Sequence, residues 1–239
     1  MPANHPKFAG ADAVGYLTTF LQLIHPIADD PTFMPTLKKF SVTGTAGNLE
    51  GIVHLPDSTP RAIAVIAHPL PTMGGTMENK VITTLAKTFV ELGFAALRFN
   101  FRGVGASKGE FDSGNGEVED VLAVIEYARH AFGDLPLILS GFSFGGYVQA
   151  RVAQHLHPQP HRLVLIAPAV GRFAMPHVPH GTLVIHGDKD DVVPIADALE
   201  WAREQHLPIV VLPDAEHFFH GRLNQLREIV RHHFCGYST

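Results

Sequence analysis

From residue 37 onward, short apolar runs alternate along the chain with longer segments in which apolar residues recur at helical spacing. Residues 61–67 and 162–167 are apolar almost throughout, which is typical of strands buried on both faces of a sheet. The segments 76–92 and 117–132 each stop at a glycine, as helices commonly do. The pattern therefore predicts an α/β domain.

The complete pattern predicts an eight-stranded, mostly parallel sheet with helices on both faces, because continuous apolar strands must be buried between helix layers. The first two strands should be joined by a turn rich in Gly, Thr and Ala. We predict strands over residues 38–43, 48–55, 61–67, 94–99, 136–141, 162–167, 182–186 and 208–212, and helices over 76–92, 117–132, 147–156, 195–205 and 222–234. Since no repeat or linker interrupts the pattern, we predict one domain over residues 37–239.

Residues 1–36 are predicted to form an N-terminal extension with one amphipathic helix over 13–24. Its apolar stripe consists of Val14, Leu17, Leu21 and Ile24, and such a stripe should pack either on the domain or on a second subunit. A homodimer is therefore one alternative, and a disordered or misassigned start is another. Polar residues interrupt this segment, which makes it a poor secretory signal.

Composition narrows the class of protein. The chain is 46% hydrophobic and 17% charged, which is typical of soluble globular domains. A net charge of -5 without a basic stripe argues against a nucleic-acid partner. No run of 18 apolar residues occurs, so we expect no membrane span. The single cysteine, Cys235, excludes a disulfide within the chain and suits a reducing, cytoplasmic location.

The stretch from residue 137 to residue 147 joins an apolar run, a G-x-S-x-G sequence and a helix-like segment. A serine held in a sharp strand-to-helix turn needs very small neighbours two residues away, here Gly141 and Gly145. Such a turn would present the Ser143 hydroxyl above the sheet edge, with the Phe144 N–H aimed at a developing oxyanion. The alternative is an ordinary glycine-rich turn, which the flanking strand and helix make less favourable.

Acidic and histidine residues follow two later strands, where the loops at the carboxyl ends of a parallel sheet carry its catalytic groups. The loop 187–194 contains three aspartates, and the loop 213–220 contains His217 and His220. The order Ser, Asp, His is the one described for α/β-hydrolases.

Residues 37–234 resemble the α/β-hydrolase fold through the serine turn 141–146, the acid loop 186–194 and the histidine sequence 216–219. They are most similar to small, lidless bacterial serine hydrolases near the dienelactone-hydrolase-like and serine-esterase branches. The segments 74–80, 98–107 and 217–222 carry this closer match.

The resemblance implies Ser143 as nucleophile, Asp190 as orienting acid and His217 as base, because the acid of this family lies three residues past the glycine. Asp188 and Asp191 remain alternative acids, whereas His220 would be solvated or stand behind His217. A neutral imidazole can take the proton of an otherwise weakly nucleophilic serine, and a buried carboxylate holds its tautomer.

A second oxyanion donor is expected from the loop 68–71. Pro69 and Pro71 have no N–H, so the backbone N–H of Leu70 is the candidate beside that of Phe144. A rigid proline turn without a catalytic role is the alternative for this loop.

Only fourteen residues, 168–181, separate the sixth strand from the acid strand, so we expect no lid domain and an open, shallow pocket. An apolar lining would favour acyl or aryl esters. The expected lining residues are Leu70, Met73, Phe142, Phe144, Phe173, Met175 and Phe218, with a place in the core as the alternative for each phenylalanine. Arg102 and Arg172 are candidates to meet an anionic substrate.

We expect neither cofactor nor metal. Gly103 and Gly105 begin a dinucleotide-like pattern, but Lys108 stands where its third glycine would be, and no His-Glu-x-x-His sequence occurs. The predicted function is hydrolysis of small carboxylic esters or thioesters through an acyl-enzyme. The alternatives are a catalytically silent binding protein, a peptidase or lactone hydrolase with the same triad, and a metal-dependent hydrolase.

Overall fold

The computed structural model describes residues 35–234. The predicted helix over 13–24, the rest of the N-terminal extension up to residue 34, and Cys235 lie outside these residues. The described part contains eight strands: β1 Thr36–Gly44, β2 Gly47–Leu55, β3 Ala62–Ala67, β4 Phe94–Phe99, β5 Leu137–Phe142, β6 Arg162–Ile166, β7 Leu183–Gly187 and β8 Ile209–Leu212. Its helices are α1 Lys80–Glu91, α2 Asn115–Phe132, α3 Phe144–His155, α4 Ile195–Glu204 and α5 Leu223–His233, with a 3-10 turn at Pro71–Met73.

The strands form one sheet in the order β1-β2-β4-β3-β5-β6-β7-β8. Strands β1 and β2 pair antiparallel, and so do β2 and β4, whereas all later pairs are parallel. Every residue of β3, β4 and β5 is buried, as expected for strands covered on both faces. Helix α1 packs against α5 and α2 packs against α3. The predicted eight-stranded, mostly parallel sheet is confirmed.

The first helix begins four residues later than the sequence pattern predicts. Asn79 caps it, because its side-chain oxygen accepts a hydrogen bond from the Val81 N–H over 2.9 Å, and such caps set helix starts. The residues before the cap are held by the sheet instead: the Met77 N–H donates to Asn100 Oδ1 over 2.9 Å, and the Arg98 guanidinium donates to the Met77 carbonyl over 3.0 Å. Tertiary contacts therefore outweigh the helical spacing over 76–79.

The glycine-rich loop after β4 packs back on β2. Glu50 Oε1 accepts hydrogen bonds from the Ala106 N–H over 2.7 Å and from the Asn100 side chain over 2.8 Å. Gly105 lies so close that a Cβ there would stand 2.2 Å from Glu50 Oε1. The loop therefore fastens β2, the second strand of the sheet. Each helix among residues 35–234 is too short or too polar to span a bilayer.

Candidate active site

Ser143 occupies the junction between β5 and α3 in a strained conformation, with φ 54° and ψ -118°. Its N–H donates to the Ile166 carbonyl of β6 over 2.9 Å, and its carbonyl accepts from the Gly146 N–H over 2.9 Å. A non-glycine residue held at positive φ typically costs about 1–3 kcal/mol and persists where its surroundings impose it. The sharp strand-to-helix turn expected from the sequence is present.

The glycines on either side of Ser143 explain the spacing of the motif. A Cβ on Gly141 would lie 2.3 Å from the Gly145 carbonyl oxygen, and one on Gly145 would lie 2.2 Å from the Ala67 carbonyl oxygen. Both distances are far inside van der Waals contact with backbone, so neither site can accept a side chain without moving the sheet. A Cβ on Gly146 would instead lie 3.4 Å from its nearest neighbours, which leaves room for a methyl group.

Three side chains from three loops form one hydrogen-bonded row. His217 Nε2 lies 3.1 Å from Ser143 Oγ, and His217 Nδ1 lies 2.7 Å from Asp190 Oδ2. The three residues follow β5, β7 and β8, so the carboxyl ends of these strands bring them together. Ser143, Asp190 and His217 are 7%, 6% and 3% exposed. Little water competes for these hydrogen bonds.

The carboxylate of Asp190 is held from several sides. Its Oδ1 accepts hydrogen bonds from the Val192 N–H over 2.9 Å and the Val193 N–H over 2.7 Å. Burial by itself would raise the pKa of Asp190, but the hydrogen bonds from His217 and Val193 outweigh it and keep the pKa below its usual value. Asp190 is therefore a fixed anion at neutral pH.

The alternative acids and the second histidine are not part of this hydrogen-bonded row. Asp188 is exposed and accepts a hydrogen bond from the Asp214 N–H over 2.6 Å, which ties the acid loop to the histidine loop. Asp191 is exposed. The imidazole of His220 is largely exposed and lies 3.4 Å from the Glu216 carboxylate. Of the five candidates in these two loops, Asp190 and His217 are the ones within reach of Ser143.

His186, at the end of β7, is a buried neighbour of the row that the sequence analysis did not single out. Its Nε2 lies 2.8 Å from the Val193 carbonyl and 3.4 Å from Asp190 Oδ2. Burial lowers the pKa of His186, although the hydrogen bond to Val193 opposes this, so the ring is neutral and donates through Nε2. The sequence feature that could have identified His186 is a polar residue at the end of an apolar strand, directly before the acid loop.

His68 is a second buried histidine that the sequence analysis placed in a loop without giving it a task. Its Nε2 accepts a hydrogen bond from the Phe101 N–H over 3.1 Å. The proton therefore lies on Nδ1, which donates to the Pro69 carbonyl over 2.7 Å. Burial lowers the pKa of His68 to about 4, so this tautomer persists through neutral pH. In a trans peptide the C=O and N–H point in opposite directions, so holding the Pro69 oxygen also sets the direction of the Leu70 N–H.

A pocket of about 230 Å³ opens at Ser143. Among residues 35–234, the Leu70 and Phe144 N–H groups have no acceptor within the protein, and both residues line this pocket. The full lining is Pro69, Leu70, Met73, Gly74, Gly75, Asn79, Ser143, Phe144, Ala169, Arg172, Phe173, Val192, His217 and Phe218.

Two of the expected lining residues lie elsewhere. Phe142 is fully buried, and its ring packs against His217 with centroids 4.9 Å apart. It supports the histidine from behind instead of facing the pocket. Met175 lines a neighbouring depression that also contains Trp201. The prediction for these two residues was wrong.

Arg102 does not face the pocket either. Its guanidinium donates to Asp120 Oδ1 through Nη2 over 2.8 Å and through Nε over 3.1 Å, and both residues are buried. Arg102 therefore belongs to the framework of the fold. In the part of the chain that the structure describes, no group of three or more His, Cys, Asp or Glu side chains is placed to hold a metal ion.

Comparison with known proteins identifies the family. The sequence profile of the family described as serine aminopeptidase, S33, matches residues 58–181, a range that includes Ser143 and ends before Asp190. An uncharacterised protein of Rickettsia prowazekii is 30% identical over 203 residues, which cover 78% of this chain and 84% of that protein. The chain belongs to this family, within the α/β-hydrolase superfamily.

Solved structures of related serine hydrolases agree with this family assignment. An α/β serine hydrolase without a lid from Xanthomonas campestris is 39% identical, covers 87% of this chain and 98% of its own, and has a TM-score of 0.80. An α/β serine hydrolase homologue from Coxiella burnetii is also 39% identical, with coverage of 84% and 99% and a TM-score of 0.76. Residues 168–181 contain neither helix nor strand, so this α/β-hydrolase has no lid domain between β6 and β7.

Proposed function

We propose that this serine hydrolase cleaves small carboxylic esters or thioesters through an acyl-enzyme formed on Ser143. The observation that carries the proposal is the continuous row from Ser143 Oγ through His217 to Asp190, with distances of 3.1 and 2.7 Å, opening on an apolar pocket. A serine hydroxyl becomes an effective nucleophile when a base takes its proton during attack.

In the proposed acylation step, Ser143 Oγ attacks the ester carbonyl carbon while His217 Nε2 takes the hydroxyl proton. Asp190 holds the Nδ1–H of His217 and stabilises the imidazolium that forms. Collapse of the tetrahedral intermediate breaks the bond to the leaving alcohol or thiol, which receives the proton from Nε2. Attack by water on the acyl-enzyme then repeats the same transfers and releases the acid.

The tetrahedral intermediate carries a negative oxygen that needs donors. We assign this role to the backbone N–H groups of Leu70 and Phe144, which line the pocket beside Ser143. Loss of one such donor typically costs about 3 kcal/mol in the transition state. Helix α3 begins at Phe144, so its dipole adds to the positive potential at the same point.

The lining of the pocket favours esters over the N-terminal peptides that the family description suggests. An aminopeptidase must bind a protonated α-amine, for which a carboxylate is the natural partner. The residues that line the pocket include no Asp or Glu, and their charged side chain is the cation Arg172. The apolar walls, among them Met73, Phe173 and Phe218, suit an acyl chain or an aryl group.

The test is hydrolysis of 4-nitrophenyl esters of increasing acyl length beside aminoacyl 4-nitroanilides. We expect ester cleavage with saturation kinetics, little or no anilide cleavage, and covalent labelling of Ser143 by a fluorophosphonate. The Ser143→Ala variant should lose at least about a thousandfold in kcat. Efficient turnover by Ser143→Ala would contradict the mechanism, and a correctly folded protein that the probe leaves unlabelled would indicate a silent binding protein.

A further inference from the structure

Arg172 stands out among the residues of the pocket because its charge is not neutralised by the protein. Its side chain is exposed and has no hydrogen-bond or ion-pair partner among residues 35–234. By contrast, the buried arginines Arg98 and Arg102 are paired with Glu78 and Asp120 at 2.7 and 2.8 Å. A guanidinium is always charged and offers five N–H donors. Arg172 is therefore free to bind a ligand.

The backbone that carries Arg172 is fixed to the nucleophile. The Ala169 N–H donates to the Ser143 carbonyl over 3.3 Å, and the Phe173 N–H donates to the Ala169 carbonyl over 3.2 Å. The Phe173 ring packs against Phe144, with ring centroids 5.2 Å apart. These contacts hold the turn that bears Arg172 in a fixed position relative to Ser143.

Asn79, the remaining polar side chain of the pocket besides Ser143 and His217, also offers a donor. Asn79 uses its side-chain oxygen to accept from the Val81 N–H, so its NH2 group is the part left to bind a ligand. Helix α1 starts directly after Asn79 and places the positive end of its dipole there. An anionic group entering this pocket therefore meets cationic and donor groups, and no carboxylate lines the pocket.

We propose that Arg172 makes this pocket selective for esters whose acyl chain ends in a negatively charged group, such as monoesters of dicarboxylic acids. This inference rests on the proposed ester hydrolysis and adds the substrate class. The carboxylate would accept hydrogen bonds from the Arg172 guanidinium while the ester carbonyl lies at Ser143.

The expected selectivity is moderate. Asp197, Glu200 and Glu204 line the neighbouring depression, which shares Phe173 with the pocket, and their charges weaken the local positive potential. Arg172 is also open to water, which screens its field. We therefore expect a contribution of about tenfold in kcat/KM, at the lower end for a hydrogen bond between charged groups.

The test compares the mono-4-nitrophenyl esters of adipic and pimelic acid with the 4-nitrophenyl esters of hexanoic and heptanoic acid. The members of each pair have the same chain length and differ in the terminal charge. These chains are too long for rapid self-hydrolysis through a cyclic anhydride. The variants are Arg172→Gln and Arg172→Lys, with Arg203→Gln as the control, because Arg203 is exposed on α4, lies outside the pocket and has no ion-pair partner in the described residues.

We expect Arg172→Gln to lower kcat/KM about tenfold for the anionic esters and less than twofold for the neutral ones. Arg172→Lys should keep part of the preference, and Arg203→Gln should keep all of it. Raising the ionic strength should lower kcat/KM only for the anionic esters, and this decrease should be smaller in Arg172→Gln than in wild type. Equal effects of Arg172→Gln on both ester classes, or no effect, would overturn the inference and leave the proposed hydrolysis intact. Failure of wild type to cleave any ester, with Ser143 unlabelled, would overturn both.

Discussion

His68 accepts a hydrogen bond from the backbone N–H of Phe101 through Nε2, over 3.1 Å. This contact fixes the tautomer, so that Nδ1 donates to the Pro69 carbonyl over 2.7 Å. The Pro69–Leu70 peptide is thereby held with its N–H directed away from His68. A buried imidazole behind the loop thus controls the orientation of the donor that we assign to the oxyanion.

Two substitutions at His68 separate this role from general packing. Asparagine places an amide near the position of Nδ1 and can still donate to the Pro69 carbonyl, whereas glutamine places its amide near Nε2 and cannot. We expect His68→Asn to lose about tenfold in kcat and His68→Gln about a hundredfold, close to the loss of one oxyanion donor, with KM little changed in both. Steady-state kinetics on one 4-nitrophenyl ester, beside urea unfolding of both variants, measures this.

Asparagine is one methylene shorter than glutamine and leaves the larger void, so a purely structural role for His68 would make His68→Asn the more damaging variant in both stability and kcat. That result would contradict the orienting role.

The glycines of the serine turn give a second matched pair. A Cβ on Gly145 meets the Ala67 carbonyl oxygen at 2.2 Å, whereas a Cβ on Gly146 finds its nearest neighbours at 3.4 Å. We expect Gly145→Ala to lower the free energy of unfolding by about 3 kcal/mol or more, because backbone must move. Gly146→Ala should keep both stability and activity, since alanine also favours the helix by about 0.5–1 kcal/mol. Urea denaturation and ester turnover report the two effects, and similar losses in both variants would refute this account of the turn.

The sequence pattern predicted most of the fold because most of its strands are short apolar runs and two of its five described helices end at a glycine. The same pattern could not tell which way Phe142 points. Every residue of β5 is buried, so the run has no alternation of polar and apolar residues from which a face could be read. The pattern is therefore compatible with Phe142 in the pocket, although its ring packs behind His217.

The candidate site was predictable where the residues lie close to a strand end, as Ser143, Asp190 and His217 do. His68 and Arg102 also follow strand ends, but no family motif assigns them a role, so their partners could not be inferred. Arg102 pairs with Asp120, eighteen residues further on and in a helix. His68 is bound by a backbone N–H thirty-three residues away. Such contacts depend on how elements pack, which spacing along one chain does not reveal.

His186 offers a third prediction, because it supports the acid loop from the interior. Its Nε2 donates to the Val193 carbonyl over 2.8 Å and lies 3.4 Å from Asp190 Oδ2. Glutamine can keep a donor near this position, whereas leucine fills the space without one. We expect His186→Leu to lower kcat about tenfold through displacement of Asp190, and His186→Gln only two- to threefold, both with nearly unchanged KM.

Stability distinguishes this positioning role from ordinary packing. Leucine removes the unpartnered buried atom His186 Nδ1, but it also leaves the buried Val193 carbonyl without its donor, so His186→Leu should lose about 1–3 kcal/mol in the free energy of unfolding. Such a loss leaves the protein folded in the absence of urea, so a tenfold lower kcat in protein that circular dichroism shows to be fully folded is the expected signature. Unchanged kcat in His186→Leu would show that Asp190 needs no support from β7.

The last prediction concerns the dependence of stability on pH. Burial lowers the pKa of both His54 and His68 to about 4, and for His54 the neighbouring charge of Arg98 acts in the same direction. In the unfolded chain these residues regain a pKa near 6.5. Between about pH 6.5 and pH 4 the unfolded state therefore binds more protons than the folded state. The free energy of unfolding should fall by roughly 1.4 kcal/mol per pH unit for each of the two histidines as the pH decreases.

The variant His54→Gln isolates one of these contributions. Its side-chain oxygen can still accept the hydrogen bond that Arg98 Nε donates to His54 Nε2 over 2.8 Å, but it does not titrate. Urea unfolding at pH 7, 6 and 5 should show a slope that is shallower than wild type by roughly 1.4 kcal/mol per pH unit below pH 6. Asp120, whose pKa burial raises, acts in the opposite direction, but it is common to both proteins and cancels in the difference. Parallel slopes would mean that His54 is protonated equally in the folded and unfolded states, and that its burial beside Arg98 does not control its charge.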